Sequence, residues 1–264
     1  LLAPSIILLV LLIGYPLIYN IVISCQDVPL NPNLPSEFVG LKNFIDVFTD
    51  PTFYKSVAIT LLFTVVVTSI STVLGLSLSV FLNRPFVGKK LVNSIIILSY
   101  VVPAVCLIFT WRYMFNNIYG IINYFVVDVF GIADKAPLWF DQPVSAFILV
   151  SIFAIWKFFP YAYISFNAIL QSMDNSLYEA ADIDGATSWQ KFKAITYPAI
   201  KPTLVTVVSL RTIWVFYIYT EVYLLTKQVD VLPLRYGVCN TRFRKSSSDL
   251  HCIVCVHIRF DYAD

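Results

Sequence analysis

The chain has 264 residues, of which 58% are hydrophobic and only 13% charged, and its mean hydropathy is +0.77. Soluble domains average about 45–50% apolar and about 25% charged residues, so this composition excludes a disordered chain and a water-soluble enzyme. The net charge of +2 excludes a nucleic-acid-binding protein, because phosphates require a clustered basic surface. The composition predicts a membrane protein.

Five stretches are long and apolar enough to cross a bilayer, which takes about 20 mostly apolar residues in a helix. They are residues 3–24, 57–82, 91–115, 144–170 and 199–225. Nothing after Val229 resembles a sixth span. The sequence therefore predicts an all-α, polytopic membrane protein. Because the chain begins with Leu1 rather than Met, we expect the natural protein to begin earlier.

The second predicted span has small and hydroxyl-bearing side chains at helical spacing along one face. Small residues on one stripe let helices approach closely in lipid, where packing drives association. We interpret this stripe as a helix-packing contact rather than a solute-lining surface. Its members are Thr64, Thr68, Ser71, Gly75 and Ser79.

The distribution of Lys and Arg predicts which connections face the cytoplasm. The short turn 83–90 has three basic residues and no acid, so we place it inside. The connections 26–56 and 116–143 are longer and poor in basic residues, so we place them outside. Alternation then returns 171–202 to the cytoplasm and leaves the N-terminus inside.

The cytoplasmic connection 171–202 is predicted to contain a helix, for which Asn175 or Ser176 is a candidate N-cap. Side chains at about 3.6-residue spacing predict a narrow face of small residues flanked by aromatic ones, suited to docking into a groove of another protein. An amphipathic helix resting on the membrane is the alternative, but such helices are usually basic and this one begins acidic. The face consists of Tyr178, Ala181, Gly185 and Trp189.

Charges inside predicted spans are candidates for function, because ionisable groups at membrane depth are costly. Lys157 lies in the fourth span, and Arg211 and Glu221 lie in the fifth. In one interpretation the two cations face a polar translocation path in which aromatic side chains contact the solute. In the other they pair with acids or carbonyls of a partner subunit, and the residues alone leave both open. The candidate path residues are Trp156, Lys157, Arg211, Trp214 and Tyr217.

A run of matching positions in 171–202 resembles the EAA loop of ABC importer permeases, the membrane subunits of binding-protein-dependent uptake systems. Tyr197 stands where that family usually has Leu. The matching positions are Glu179-Ala180-Ala181, Asp184-Gly185-Ala186, Phe192, Ile195, Pro198 and Pro202.

Segments elsewhere extend the resemblance to most of the chain and to the carbohydrate-type branch, which includes maltose-, multiple-sugar- and glycerol-3-phosphate-type permeases. They are Phe38-Val39-Gly40-Leu41, Asn43-Phe44, Asp50-Pro51, Trp111-Arg112, Phe115-Asn116, Tyr119-Gly120, Trp156-Lys157 with Pro160, and Leu210-Arg211-Thr212-Ile213-Trp214. The solute itself, whether a sugar, glycerol-3-phosphate or a polyol, is not specified by the sequence.

The resemblance implies a type-1 ABC importer permease in a prokaryotic inner membrane, working by alternating access. It implies as partners a cytoplasmic ATPase dimer, a second permease and an extracytoplasmic solute-binding protein. ATP would be bound by the ATPase, so this subunit would be no enzyme and hold no cofactor; the chain has no glycine-rich GxxxxGK[ST] phosphate loop. The alternative is an unrelated helical channel or secondary transporter. The residues implied to dock in a groove of the ATPase are Glu179, Ala180, Ala181, Asp184, Gly185 and Ala186.

We predict three regions: a first span with its external loop (1–56), a transmembrane core (57–230) and a tail (231–264). The tail lacks the final span that the family has, and our hypothesis is a frame shift or a truncated gene after about Leu234. Cys252 and Cys255 with nearby histidines raise the question of zinc, but no second ligand pair stands at zinc-finger spacing. We therefore predict no metal site.

Overall fold

A computed structural model describes residues 3–27, 29, 35–84, 86–140 and 142–226. The described residues are mostly helical, which confirms the all-α fold class. They divide into two compact units, of which one ends at Thr60 and the other begins at Leu61. The predicted tail, with its cysteines and histidines, lies outside the described residues.

The first unit begins with two helices joined without a break by a π-helical turn. Helix α1 is Ala3–Leu9, the turn is Val10–Gly14 and α2 is Tyr15–Ser24. The stretch Ile6–Ser24 has a mean hydropathy of 2.6, and none of it is buried inside the protein. It is therefore long and apolar enough to cross a membrane with its side chains in lipid.

A short hairpin and one helix connect α2 to the next span. Strand β1 (Gln26–Asp27) pairs antiparallel with β2 (Glu37–Phe38). Gly40 then adopts a left-handed backbone with φ +61°, a conformation that glycine reaches without steric cost. Helix α3 follows as Lys42–Thr49.

The remaining helices include three long ones, α4, α8 and α11, of which α4 begins in the first unit. The helices are α4 (Pro51–Phe81), α5 (Lys89–Val101), α6 (Ala104–Met114), α7 (Ile121–Tyr124), α8 (Pro143–Ser172), α9 (Asn175–Ile183), α10 (Ser188–Lys191), α11 (Tyr197–Phe216) and α12 (Tyr219–Thr226). Two π-helical turns, Phe125–Val129 and Phe192–Thr196, follow α7 and α10.

The core of the second unit lies where α8 packs on α11 and α4. A Cβ added at Gly75 would lie 2.6 Å from the Cβ of Ala162, so the glycine is what lets α4 approach α8. The hydroxyl-bearing members of its stripe are also buried, and the close approach at Gly75 supports the helix-packing interpretation for that part of the stripe. The buried cluster between α8 and α11 comprises Ala162, Phe166, Leu170, Ile200 and Val207.

The third predicted span consists of two helices rather than one continuous helix. Helices α5 and α6 meet at an angle of 96°. Pro103 lacks an N–H and disfavours helical geometry at the residue before it. Val102 accordingly has an extended backbone, with ψ 135°. Pro103 therefore separates α5 from α6 instead of lying inside one continuous helix.

The fifth predicted span has different bounds from those expected. The apolar helical stretch runs over Ser188–Phe216. A turn at residues 217–218 interrupts the helix, and α12 follows as a separate helix. Helix α12 packs against α6, and Arg112 Nη1 donates to the Leu224 carbonyl at 3.3 Å. Within the described residues, four helices and one bent pair are long and apolar enough to span a membrane.

Helix α8 continues through Pro160 without ending. A proline inside a helix leaves the carbonyl four residues earlier without its N–H donor. That carbonyl belongs to Trp156, and it accepts a hydrogen bond from Ser99 Oγ of α5 at 3.2 Å. Since an unpaired backbone group is costly in lipid, Ser99 stabilises both the proline-containing helix and its contact with α5.

Candidate functional site

Helix α9, the predicted docking helix, has Asp174 as its N-cap residue. The predicted N-cap, Asn175 or Ser176, was therefore wrong by one or two positions. The Asp174 carboxylate accepts a hydrogen bond from the Ser176 N–H at 2.9 Å. Asp174 has the extended backbone that an N-cap residue adopts. The hydrogen bond from the Ser176 backbone holds the pKa of the Asp174 carboxyl below its ordinary value.

One side of α9 is turned inward and held by hydrogen bonds. The Tyr178 hydroxyl lies 2.8 Å from Thr196 Oγ1 and donates to the Met173 sulfur at 3.7 Å. Ala181, one turn further along, is half-buried. Tyr178 is therefore turned toward the rest of the chain, whereas Gly185 and Trp189 of the predicted docking face are exposed, and the docking role of this face stays a prediction.

The other side of α9 is exposed and combines an acid with small and apolar side chains. Glu179 and Ala180 are exposed, and Ile183, on the same face, is 88% exposed. Leu177 at the edge of this face is 52% exposed, and Trp189 of α10 is 70% exposed. The sequence-based prediction did not include Leu177 and Ile183 in the exposed face. Their signal in the sequence is a large apolar side chain close to the acidic residue Glu179.

The turn after α9 is closed by the backbone. Gly185 has φ +69°, and the space where its Cβ would lie is open. The N–H of Ala186, which is half-buried, donates to the Ala181 carbonyl at 2.9 Å, a bond that ends the helix at a left-handed glycine. Asp184 in this turn is exposed.

Helix α10 is fixed to α9 and has its own cap. Lys191 Nζ lies 2.5 Å from Asp182 Oδ1. Thr187 and Gln190 form a reciprocal capping box at the start of α10. We call residues 175–191, which comprise α9, the turn and α10, the docking element. The name follows the role that the sequence predicts for it; in the structure its inner side is bonded through Tyr178 and its outer side is exposed.

Within the spans, Lys157 finds its counter-ion in the same chain. Its Nζ lies 2.6 Å from Glu221 Oε1, and the two side chains are 12% and 15% exposed. The pair joins α8 to α12 across 64 residues of sequence. An acid on a partner subunit is therefore not needed to neutralise Lys157 in this conformation.

Arg211 is fully buried and enclosed by aromatic rings. Its Nη2 donates to the Phe158 carbonyl, and its guanidinium carbon lies 4.6, 4.8 and 5.3 Å from the ring centroids of Phe158, Tyr161 and Trp214. Among the described residues, no acceptor bonds its Nε or Nη1. The negative ring faces compensate the charge instead, so Arg211 does not line an open path in this conformation.

The aromatic candidates of the path are more accessible. Trp156 and Trp214 are each 36% exposed, and Tyr217, at the break before α12, is 51% exposed. A cavity of about 210 Å³ lies elsewhere, between α4 and α11. It is lined by Leu61, Thr64, Val65, Thr68, Ser69, Val208, Thr212 and Phe216.

Comparison with known families identifies the architecture. Residues 71–237 match the family described as binding-protein-dependent transport system inner membrane component. The chain belongs to this family. The matched region runs from the middle of α4 past the end of α12 and contains the whole docking element.

Relatives and a solved structure agree with the family. The chain is 54% identical over 232 residues to the inner membrane ABC transporter permease protein YcjO of Escherichia coli K12, covering 88% of this chain and 79% of that protein. It is 35% identical over 201 residues to the trehalose/maltose transport system permease protein MalF of Thermococcus litoralis, covering 76% of this chain and 66% of that protein. A bacterial alginate ABC transporter, solved in complex with an alginate pentasaccharide-bound periplasmic protein, shares the fold with a TM-score of 0.73. That match is 22% identical and covers 89% of this chain and 76% of that one.

Membership of the family decides between the alternatives that the sequence left open. The chain is an ABC transporter permease of the inner membrane with several spans. An unrelated helical channel or secondary transporter is excluded.

Proposed function

We propose that this permease is the membrane subunit of an ATP-driven importer for a sugar or a sugar-like solute. The chain would open alternately to the two sides of the membrane. ATP would be hydrolysed by a separate pair of ATPase subunits, so this subunit itself would catalyse no reaction and bind no cofactor. A second permease and an extracytoplasmic binding protein would complete the system.

The sugar class is supported by the relatives. The Thermococcus litoralis protein, at 35% identity, is named for trehalose and maltose transport. The permease also has partly exposed aromatic side chains, which are Trp156 on α8, Trp214 near the end of α11 and Tyr217 at the break after it. We propose that these rings, with Lys157 and Arg211 behind them, form part of the translocation path. Aromatic faces suit the apolar faces of sugar rings, and interrupted helices are where transporters place their binding sites.

The docking element is the observation that supports coupling to an ATPase. Glu179, Ala180 and Ile183 form an exposed face, while Tyr178 on the opposite side is bonded to Thr196. A force applied to the exposed face would therefore reach α11 through the bonded side. We propose that this face enters a groove of the ATPase, with Glu179 near a basic group and Ala180 permitting close approach. Ala181, Asp184, Gly185 and Ala186 would shape the end of the same element.

The sidedness follows from this assignment. An ATPase in the cytoplasm places the docking element inside, which agrees with the basic turn 83–90 on the same side. The N-terminus would then lie in the cytoplasm and the connections 26–56 and 116–143 outside. Residues 57–230 would form the transmembrane core.

A charge reversal on the docking element tests the proposal. Glu179→Lys should abolish solute uptake by the complete transporter and weaken co-purification of the ATPase, while membrane insertion is unchanged. Asp134→Lys is the matched control, because Asp134 is also exposed but lies between α7 and α8. Normal uptake and normal ATPase retention in the Glu179→Lys variant would contradict the docking role. The solute class is tested separately. The complete transporter is expressed in a strain that lacks it, and the uptake of labelled disaccharides is compared with the uptake of labelled amino acids and anions.

A further inference from the structure

We infer that α3, the short helix between the first two spans, lies in the membrane–water interface with one apolar stripe embedded among lipids. The inference goes beyond the proposed function, because it concerns a segment ahead of the transmembrane core. It depends on neither the solute nor the ATPase. The observations that support it all lie in the first compact unit.

An exposed apolar stripe runs along α3, and at its end the Phe48 ring makes an edge-on contact with the Phe53 ring, with 5.7 Å between the ring centroids. Its three side chains stand at spacings i, i+4 and i+7, which places them on one face of a helix. Leu41, directly before α3, is 67% exposed, and Ile45 and Phe48 are 60% and 55% exposed. Such a stripe in water would expose a large, contiguous apolar surface, which soluble surfaces rarely carry.

The other two sides of α3 differ from this stripe and from each other. A polar stripe lies beside the apolar one, again at i, i+4 and i+7, and is exposed; it consists of Lys42, Asp46 and Thr49. The third side faces the protein and is buried or half-buried; it consists of Asn43, Phe44 and Val47. A helix with an apolar face beside a polar face suits the boundary between acyl chains and water.

Hydrogen bonds hold the start of α3 at the end of the first span. Asn43 is buried, and its side-chain amide donates to the carbonyls of Ser24 and Gln26 at 3.1 and 3.0 Å. The backbone N–H groups of residues 39 and 40 both donate to the Cys25 carbonyl, at 2.9 and 3.0 Å. These bonds satisfy carbonyls at the end of α2 that have no helical partner. They also fix α3 at the depth where the first span ends.

The other end of α3 is fixed to the start of the next span. Only Asp50 separates it from α4, and the Asp50 side chain accepts from the Thr52 N–H at 2.8 Å. The Tyr54 hydroxyl donates to the Phe48 carbonyl at 2.9 Å. Since α2 ends and α4 begins a candidate span, α3 is held at the membrane surface from both sides. Lipid is therefore the partner that the apolar stripe meets at this depth.

Site-directed spin labelling of the full chain in phosphatidylethanolamine/phosphatidylglycerol vesicles tests the inference. All five native cysteines are replaced by serine, and single cysteines are introduced as Ile45→Cys, Phe48→Cys, Asp46→Cys and Thr49→Cys. Collisions with oxygen report lipid, and collisions with a nickel chelate report water. The oxygen-to-nickel ratio should be several-fold higher at positions 45 and 48 than at the matched polar positions 46 and 49.

Either of two results would overturn the inference. Equal nickel accessibility at all four positions would mean that the stripe faces water. Shielding of positions 45 and 48 from both reagents would mean that a protein covers it. A second measurement guards against damage by the label: a water-soluble maleimide should react with unlabelled Asp46→Cys much faster than with Ile45→Cys, and equal rates would also contradict lipid contact. None of these outcomes depends on transport.

Discussion

Lys157 and Glu221 form a direct ion pair between α8 and α12, with 2.6 Å between Nζ and Oε1. Helix α12 is separated from α11 by the break at residues 217–218, so it is not held in place by a continuous helix. Its fixed position depends on this pair and on the bond from Arg112 to the Leu224 carbonyl. Two cations from two other helices thus anchor the short helix that ends the described chain.

Removing one partner of the Lys157–Glu221 pair should destabilise the protein more than removing both. Lys157→Met leaves a nearly buried carboxylate without a counter-ion and should lower the free energy of unfolding by about 3–5 kcal/mol. The double variant Lys157→Met/Glu221→Leu should regain most of that loss. Unfolding by SDS in mixed micelles measures both.

The exposed pair between Lys191 and Asp182 is the control for this measurement. The Asp182 side chain is 61% exposed, so Asp182→Asn should cost less than about 1 kcal/mol. If the loss in the double variant equals the sum of the losses in Lys157→Met and Glu221→Leu, the two residues do not depend on each other and the prediction is contradicted.

A second prediction concerns Ser99 and Pro160. Ser99→Ala removes the donor to the Trp156 carbonyl, which Pro160 leaves without its helical partner, and should cost about 1–3 kcal/mol. In a Pro160→Ala background the N–H of residue 160 becomes available to that carbonyl. Ser99→Ala should therefore cost clearly less there, and a double-mutant cycle of unfolding free energies measures the difference. An equal cost of Ser99→Ala in both backgrounds would show that the Ser99 hydrogen bond does not compensate for the N–H that Pro160 lacks.

Gly75 should not tolerate a side chain. The Cβ of Gly75→Ala would lie 2.6 Å from the Cβ of Ala162 and 2.7 Å from the Tyr163 amide nitrogen, so α4 must move away from α8. The expected loss of stability is about 1–3 kcal/mol. Gly14→Ala is the control, because its Cβ would make only an ordinary contact of 3.6 Å. Equal stability of the two variants would show that α4 and α8 pack less closely than described.

The cap of α9 should respond to acid. The pKa of Asp174 is lowered by the hydrogen bond from the Ser176 backbone, so the carboxylate stabilises α9 at pH values above the pKa of the unfolded chain. As pH falls through the lowered pKa of the folded state, the carboxyl takes up a proton and that stabilisation is lost. Amide hydrogen exchange at Ser176 measures the loss. Asp174→Asn, which can still accept the hydrogen bond but does not titrate, is the control, and parallel pH profiles for the two proteins would contradict the prediction.

Hydropathy predicted the approximate positions of the long apolar helices, because each long apolar run must satisfy its own backbone in lipid. The bend at Pro103 was not predicted, since Pro103 and Pro160 look alike in sequence. The difference is tertiary: Ser99 satisfies the carbonyl that Pro160 frees, whereas the chain at Val102 becomes extended.

The sequence predicted a helix in the connection 171–202 but not which face of it contacts the rest of the chain. The acidic, small-residue segment at Glu179 to Ala186 indicated a docking helix, yet spacing alone does not say which face attaches to the protein. That depends on Thr196, which lies in another turn and bonds Tyr178. The pairing of Lys157 with Glu221 was likewise not predicted, because residues 64 positions apart in the sequence give no local signal of contact.

The most direct test of the docking element is photo-crosslinking in the assembled, transport-competent complex. A benzophenone amino acid replaces Ile183, which is 88% exposed on α9, or Ile132, which is 73% exposed between α7 and α8. Irradiation should join the ATPase subunit to the permease from position 183 and not from position 132. An active transporter that gives no ATPase adduct from position 183, or equal adducts from both positions, would contradict the role assigned to α9.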